Sequence, residues 1–252
     1  MLAKLLEQRS VTERDTLYVF ECPELARKAR PGQFVELKLT DSAEPFLRRP
    51  ISIFDADGER TFTLLVRTVG RGTEYMTRWT AGTEVDVLGP LGNGFSWDKS
   101  WESCILVGGG IGLAPLNYLA RELVREGKRV RVLFSPKRDA QLLESLPEKE
   151  KLEIACSENR AGVCLLLEEM LAEPADCVFC CGPEGMLESV GEYAVEHGVN
   201  CQLSVERRMG CGFGICVGCA IAIRTENGVV YKKVCKDGPV FRAEEVSFHE
   251  EP

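Results

Sequence analysis

Four cysteines, Cys211, Cys216, Cys219 and Cys235, are spaced C-x4-C-x2-C and then, after fifteen further residues, C. Three thiolates in one loop with a distant fourth is the plant-type ligand pattern of a [2Fe-2S] cluster, a one-electron carrier. Gly210, Gly212, Gly214 and Gly218 interleave the first three cysteines. Glycine accepts positive φ, so these positions are expected to turn backbone amides towards the cluster sulfurs. A four-cysteine zinc site, and with it a zinc-stabilised interaction protein, is the alternative, but such sites commonly pair two short C-x2-C knuckles. Asn227-Gly228 is a two-residue hairpin signal between the alternating runs 220–226 and 229–235. That turn sets Glu226 opposite Val229 and, counted outward, Cys235 opposite Ala220 and beside Cys219. The other eight cysteines, Cys180 and Cys181 among them, are expected to be small buried hydrophobes.

A second group of residues has nucleotide chemistry. Arg48-Arg49-Pro50-Ile51-Ser52-Ile53 puts a fixed cation and a hydroxyl at a strand start, where they can hold a diphosphate and a flavin edge. Val69-Gly70-Arg71-Gly72-Thr73-Glu74-Tyr75-Met76 adds a glycine turn entering a short helix, whose first amides suit the same diphosphate. Gly108-Gly109-Gly110-Ile111-Gly112 follows a strand and opens a helix, which lets a dinucleotide approach the backbone; Pro115 departs from the full glycine fingerprint. The next strand ends not in a ribose-binding acid but in Ser135-Pro136-Lys137-Arg138. Those cations face either a 2'-phosphate or solvent, and solvent is favoured. Cys181-Gly182-Pro183 is a second strand-to-helix turn on the same carboxyl edge, with the nicotinamide expected between the two turns.

Positioning these residues takes three units. Residues 1–98 are short alternating segments, such as 33–39 and 61–66, divided by Gly, Pro and Asp, the pattern of a small antiparallel β-barrel. Residues 99–203 alternate strand and helix, as in a Rossmann-like α/β domain: strands at 104–107, 129–134, 152–155 and 177–181, with helices through 126, after Arg138, at 163–171 and at 184–196. Residues 204–252 form a small ferredoxin-like cluster module. The net charge of -8 and pI near 5.1 argue against a nucleic-acid binder. The amino terminus lacks a signal-peptide core and no apolar run spans a membrane, so a cytoplasmic location is expected. Neither histidine, His197 nor His249, lies in a nucleophilic pattern. Arg207, Arg208, Lys232, Lys233 and Lys236 are a basic cluster in an acidic chain, available to dock a partner or to balance the cluster's charge.

Arg49 to Ser52, Gly72-Thr73, the Gly108 to Gly112 turn and Cys181-Gly182-Pro183 together resemble the ferredoxin-NADP reductase superfamily. Residues 204–219, Ser-Val-Glu-Arg-Arg-Met-Gly-Cys-Gly-Phe-Gly-Ile-Cys-Val-Gly-Cys, narrow the likeness: the cluster module resembles that of the class 1B dihydroorotate dehydrogenase electron-transfer family. The resemblance implies FAD in the barrel, held by Arg49, Pro50, Ile51, Ser52, Leu65, Val66, Arg67, Gly72 and Thr73. It implies NAD(H) as co-substrate on the α/β domain, near Gly108, Gly109, Gly110, Gly112, Cys181, Gly182 and Pro183. It further implies an FMN-containing dihydroorotate dehydrogenase catalytic subunit as partner, in a heterotetramer of pyrimidine biosynthesis. Ile51 stands where many reductases of the superfamily carry Tyr, which leaves the flavin's stacking partner unassigned. A nicotinamide exchanges two electrons and a [2Fe-2S] cluster one, so a flavin, able to do either, must lie between them. A subunit of an NADPH:ferredoxin oxidoreductase or sulfide dehydrogenase is the competing enzyme reading, although its cluster ligands often include an aspartate. The purified chain is expected to show flavin and iron-sulfur absorption bands; a colourless, zinc-containing protein would overturn the redox reading.

Overall fold

A computed structural model describes residues 1–250 apart from 41, 43, 137–139 and 147. Strands β1 (Leu2–Ser10), β2 (Asp15–Glu21), β3 (Phe34–Lys38), β4 (Arg49–Ala56), β5 (Thr61–Arg67) and β6 (Glu84–Leu91) close into an antiparallel barrel ordered β1-β2-β5-β4-β3-β6. Side chains alternate across a strand, so Val35 and Leu37 of β3 point into the barrel core with Phe20, Ile53 and Phe62, and Phe34 and Glu36 point outward. Two short helices, α1 (Pro23–Ala26) and α2 (Arg71–Met76), fill the turns. The expected small barrel is therefore present, and closure leaves it no unpaired edge.

Strands β7 (Ser103–Gly109), β8 (Arg129–Ser135), β9 (Glu153–Cys156), β10 (Cys177–Cys181) and β11 (Cys201–Ser204) run parallel in the order β11-β10-β7-β8-β9. Central β7 is covered on both faces and is accordingly an unbroken apolar run. Helices α3 (Leu113–Arg125), α4 (Arg160–Leu171) and α5 (Glu184–Glu196) connect them. The chain leaves β7 for β8 on one side and returns to β10 on the other, so a crevice opens where the carboxyl ends of β7 and β10 diverge. The charged helix expected after Arg138 is replaced by 3-10 turns at Ala140–Ser145 and Lys149–Lys151. Lys137 and Arg138 lie outside the described residues. Among the described residues no helix is long and apolar enough to cross a membrane.

After β11 the cluster loop leads into the hairpin β12 (Ala220–Thr225) and β13 (Gly228–Lys233). Strand β14 (Val240–Arg242) then pairs antiparallel with β11 at the edge of the parallel sheet, and β15 (Val246–Ser247) pairs with β12. The hairpin register differs from the expected one by two residues: Thr225 faces Gly228 and Ala220 faces Lys233, not Cys235. A turn centred on Asn227-Gly228 needs positive φ at both residues, whereas here only Gly228 has it, at 104°. The chain instead turns through Glu226-Asn227 with Gly228 as the left-handed residue, and Thr225 Oγ1 donates to the Gly228 carbonyl at 2.7 Å.

Barrel and sheet are joined through α3. Asn117 Nδ2 donates to Phe54 O at 3.0 Å, and the Arg121 guanidinium donates to Ala56 O at 2.6 Å and pairs with Asp55. Burial raises the Asp55 pKa against the opposing pull of Arg121, so this carboxylate depends on its partner. Arg121→Ala should cost about 3 kcal/mol by leaving Asp55 half-buried and unpaired, read as a lower guanidinium unfolding midpoint of the cofactor-loaded chain.

Candidate functional site

The four predicted cysteine ligands lie in two pairs, Cys211 with Cys216, whose amide donates to Cys211 Sγ at 3.4 Å, and Cys219 with Cys235. Cys219 and Cys235 are buried with their sulfurs 3.3 Å apart, and the Val234 amide donates to the Cys219 carbonyl at 3.0 Å. The hairpin thus does return the distant cysteine to the loop, by a register two residues from the expected one. Cys211 and Cys216 are half-exposed on the loop's outer side. Burial opposes ionisation of Cys211, but the amides of Cys216, Phe213 and Ile215 donate to its sulfur, with the Cys216 thiol, and bring its pKa down to about 6. Burial and the adjacent Cys219 thiol push Cys235 up to about 12. A loop sulfur whose thiolate is favoured, beside a buried pair of cysteine sulfurs, is a donor set that fits a metal-sulfur group.

Two of the four interleaved glycines behave as expected. Gly212 and Gly214 take φ of 76° and 91°, whereas Gly210 and Gly218 have ordinary φ. For these two the near neighbour is Cys216 Sγ, at 3.5 and 3.7 Å from where a Cβ would stand, so they lie beside a ligand without strain. At Gly212 a Cβ would overlap the carboxyl of Glu36, the outward-facing residue of β3; at Gly214 it would strike the Lys236 side chain. Glu36 is 1% exposed, has no hydrogen-bond partner for either carboxylate oxygen among the described residues, and is raised to about 7 by burial. Lys233 Nζ donates to Gly214 O at 2.7 Å, so Lys233 and Lys236 of the basic cluster brace the loop. Arg207 pairs with Glu184 at 2.6 Å.

A crevice beside the barrel is lined by Arg49, Pro50, Ile51, Ser52, Leu65, Val66, Arg67 and Thr73, eight of the nine residues expected around a flavin. Gly72, the ninth, lies where any Cβ would meet the Arg49 guanidinium. Arg67 is fixed by two bonds to fully buried Asp15, at 2.8 and 2.9 Å. The Thr73 hydroxyl accepts from the Val69 and Gly70 amides and donates to Gly70 O, so it shapes the turn into α2. Sequence reasoning missed Phe34. Phe34, 4% exposed, lines this crevice and belongs to the same hydrophobic core as Cys219 and Cys235. Only its outward parity on β3 hinted at this placement.

The second crevice, about 590 Å³, is lined by Gly109, Gly110, Gly112, Gly182 and Pro183 of the two predicted turns. Gly108 and Cys181 stand behind it: a Cβ on Gly108 would meet Leu113, and a Cβ on Gly112 would overlap the Cys181 carbonyl. Burial holds the Cys181 thiol far above its usual range, so it is inert. Arg67, Ile111 and residues 205–207 line both crevices, which therefore adjoin. Among these Glu206 is raised by burial of its carboxyl in the crevice wall, although the residue as a whole remains exposed. Of the eight other cysteines, Cys22, Cys104, Cys177, Cys180, Cys181 and Cys201 are buried as expected, but Cys156 is exposed and Cys164 half-exposed.

A closed barrel joined to a parallel sheet, with adjoining crevices at their seam and two pairs of cysteines on the loop and hairpin beside them, defines a reductase of the ferredoxin-NADP reductase fold carrying an iron-sulfur module. The iron-sulfur cluster binding domain of dihydroorotate dehydrogenase B matches residues 206–247. The chain is 36% identical over 252 residues to the dihydroorotate dehydrogenase B (NAD(+)) electron transfer subunit of Caldanaerobacter subterraneus subsp. tengcongensis, covering 98% of each. It is 40% identical over 227 residues to the subunit of the same name from Lysinibacillus sphaericus, covering 86% of this chain and 87% of the relative. A solved NADH-dependent reduced ferredoxin-NADP oxidoreductase superposes with a TM-score of 0.84 at 27% identity, over 98% of this chain and 90% of that one. The chain belongs to the family of dihydroorotate dehydrogenase B (NAD(+)) electron transfer subunits. Because a methyl group at position 212 collides with Glu36, Gly212→Ala should abolish or strongly reduce bound iron and acid-labile sulfide while leaving the flavin content intact.

Proposed function

We propose that this chain is the electron-transfer subunit of an NAD-dependent dihydroorotate dehydrogenase, carrying electrons from the FMN of a catalytic partner through a [2Fe-2S] cluster and FAD to NAD+. The observation that carries this reading is the shared seam: Phe34 lines the crevice beside the barrel and belongs to the hydrophobic core that holds Cys219 and Cys235, and that crevice adjoins the second one. Cys211, Cys216, Cys219 and Cys235 hold the cluster; Arg49 to Ser52, Leu65 to Arg67, Gly72 and Thr73 hold FAD. Bound there, FAD supplies the exchange between one-electron and two-electron carriers. Arg49 offers the diphosphate a fixed cation, Asp15 holds Arg67 in one orientation, and the glycines at 109, 110 and 112 let the nicotinamide dinucleotide approach the backbone. Gly108, Cys181, Gly182 and Pro183 fix the facing turns. No residue here need act as a general acid or base.

The partner meets the chain at the cluster loop. Phe213, Ile215 and Val217 alternate with the ligands and are 50%, 77% and 73% exposed, an apolar patch of the kind that marks an interface. Arg208 stands exposed at the start of the same loop. The assembly is a cytoplasmic heterotetramer with the FMN-bearing catalytic subunit, serving pyrimidine biosynthesis. The TM-score to an NADH-dependent reduced ferredoxin-NADP oxidoreductase favours a second reading, in which the cluster exchanges electrons with a ferredoxin-reducing partner instead.

Mixing the loaded chain with an FMN-containing dihydroorotate dehydrogenase catalytic subunit should give dihydroorotate-dependent NAD+ reduction. Ile215→Asp should remove that coupling while NADH oxidation by ferricyanide continues at the unchanged rate. Absence of coupling with all cofactors present would favour the second reading.

A further inference from the structure

Asp15 and Glu36 are the two fully buried acids among the described residues. Asp15 is held by two bonds from Arg67, whereas neither oxygen of Glu36 has a hydrogen-bond partner among the described residues. Burying a carboxylate without partners is costly, so such a group calls for a neighbour that uses its charge. The cations nearest to Glu36 are engaged elsewhere. Arg48 donates to the Asp86 carboxylate at 2.5 Å and to the carbonyls of Asp86 and Glu36 at 2.9 and 3.3 Å. Arg49 donates to the carbonyls of Leu47 and Arg48 at 2.5 and 3.2 Å. Both attract the Glu36 carboxylate from the β4 side, and Cys211 repels it from the cluster loop. Alternation along β3 turns Glu36 out of the barrel, and its carboxyl fills the space beside Gly212, the residue that follows Cys211. A charge fixed at that place, in an interior of low dielectric constant, acts strongly on any charge added to the loop.

We infer that the Glu36 carboxylate holds down the reduction potential of the cluster carried by the neighbouring loop. This rests on Cys211, Cys216, Cys219 and Cys235 being the cluster ligands. Reduction adds one electron to a group already surrounded by thiolate charge, and it makes or breaks no bond. A fixed negative neighbour therefore disfavours the reduced state, so an electron that reaches the loop is passed on to the flavin and not stored.

The test is an EPR-monitored redox titration of the FAD- and cluster-loaded chain and its Glu36 variants, all in one alkaline buffer, with iron and acid-labile sulfide measured on each. Glu36→Gln keeps the shape and removes the charge. It should raise the cluster's midpoint potential by on the order of tenfold in the electron-exchange equilibrium, about 59 mV for a one-electron couple. Glu36→Leu should raise it likewise, and Glu36→Asp should hold it near the unmodified value. An unchanged potential in Glu36→Gln, or a rise that Glu36→Asp reproduces in full, assigns Glu36 to packing and overturns the inference. Loss of the cluster from Glu36→Gln makes the residue structural and overturns it too. An unmodified chain that binds no iron and sulfide overturns the ligand assignment itself, and the inference with it.

Discussion

Two cysteine sulfurs that meet in a buried core, Cys219 and Cys235 at 3.3 Å, are soft donors brought together out of water, where any charge they carry requires a compensating cation. The molecule is arranged around meeting that requirement. The β12–β13 hairpin lies within the fifteen residues between the two cysteines, and Val234 ties its end back to Cys219. On the other side Cys211 is already favoured as thiolate by the amides of its own loop. The loop keeps that shape because Gly212 and Gly214 take conformations other residues resist, with Glu36 and Lys236 filling the space a side chain would occupy.

The same packing sets the route for electrons. An outward-facing residue on a barrel strand would ordinarily be solvated, but Phe34 is covered because the cluster module folds back against β3. Asn93 fixes that approach: its amide donates to Gly238 O at 2.6 Å and its side chain to the carbonyls of Lys236 and Asp237. Strand β14 completes it by joining the parallel sheet through β11. The module is thereby held against both the barrel and the sheet, which keeps its ligands next to the flavin crevice. Its apolar tip, Phe213 to Val217, remains outside.

Adjoining crevices follow from a second constraint, the attachment of α3 to β4 by Asn117 and Arg121. That attachment brings Ile111 and the glycine turn against Arg67, whose guanidinium is held by Asp15. The two crevices are then neighbours, sharing Arg67, Ile111 and residues 205–207 as a common wall.

The barrel, the parallel sheet and both glycine turns were legible in the sequence, because each depends on local spacing: period-two alternation, and glycine at strand-to-helix turns. The hairpin register was not, since Asn227-Gly228 is compatible with more than one turn and φ alone separates them. The burial of Phe34 and Glu36 was also hidden, because alternation shows that they leave the barrel but not what covers them. The sequence by itself determined which groups can bind iron and nucleotides, since that is a property of residue type and interval. Only the tertiary structure decided which of them share a wall, because such contacts arise from packing between segments far apart in the chain.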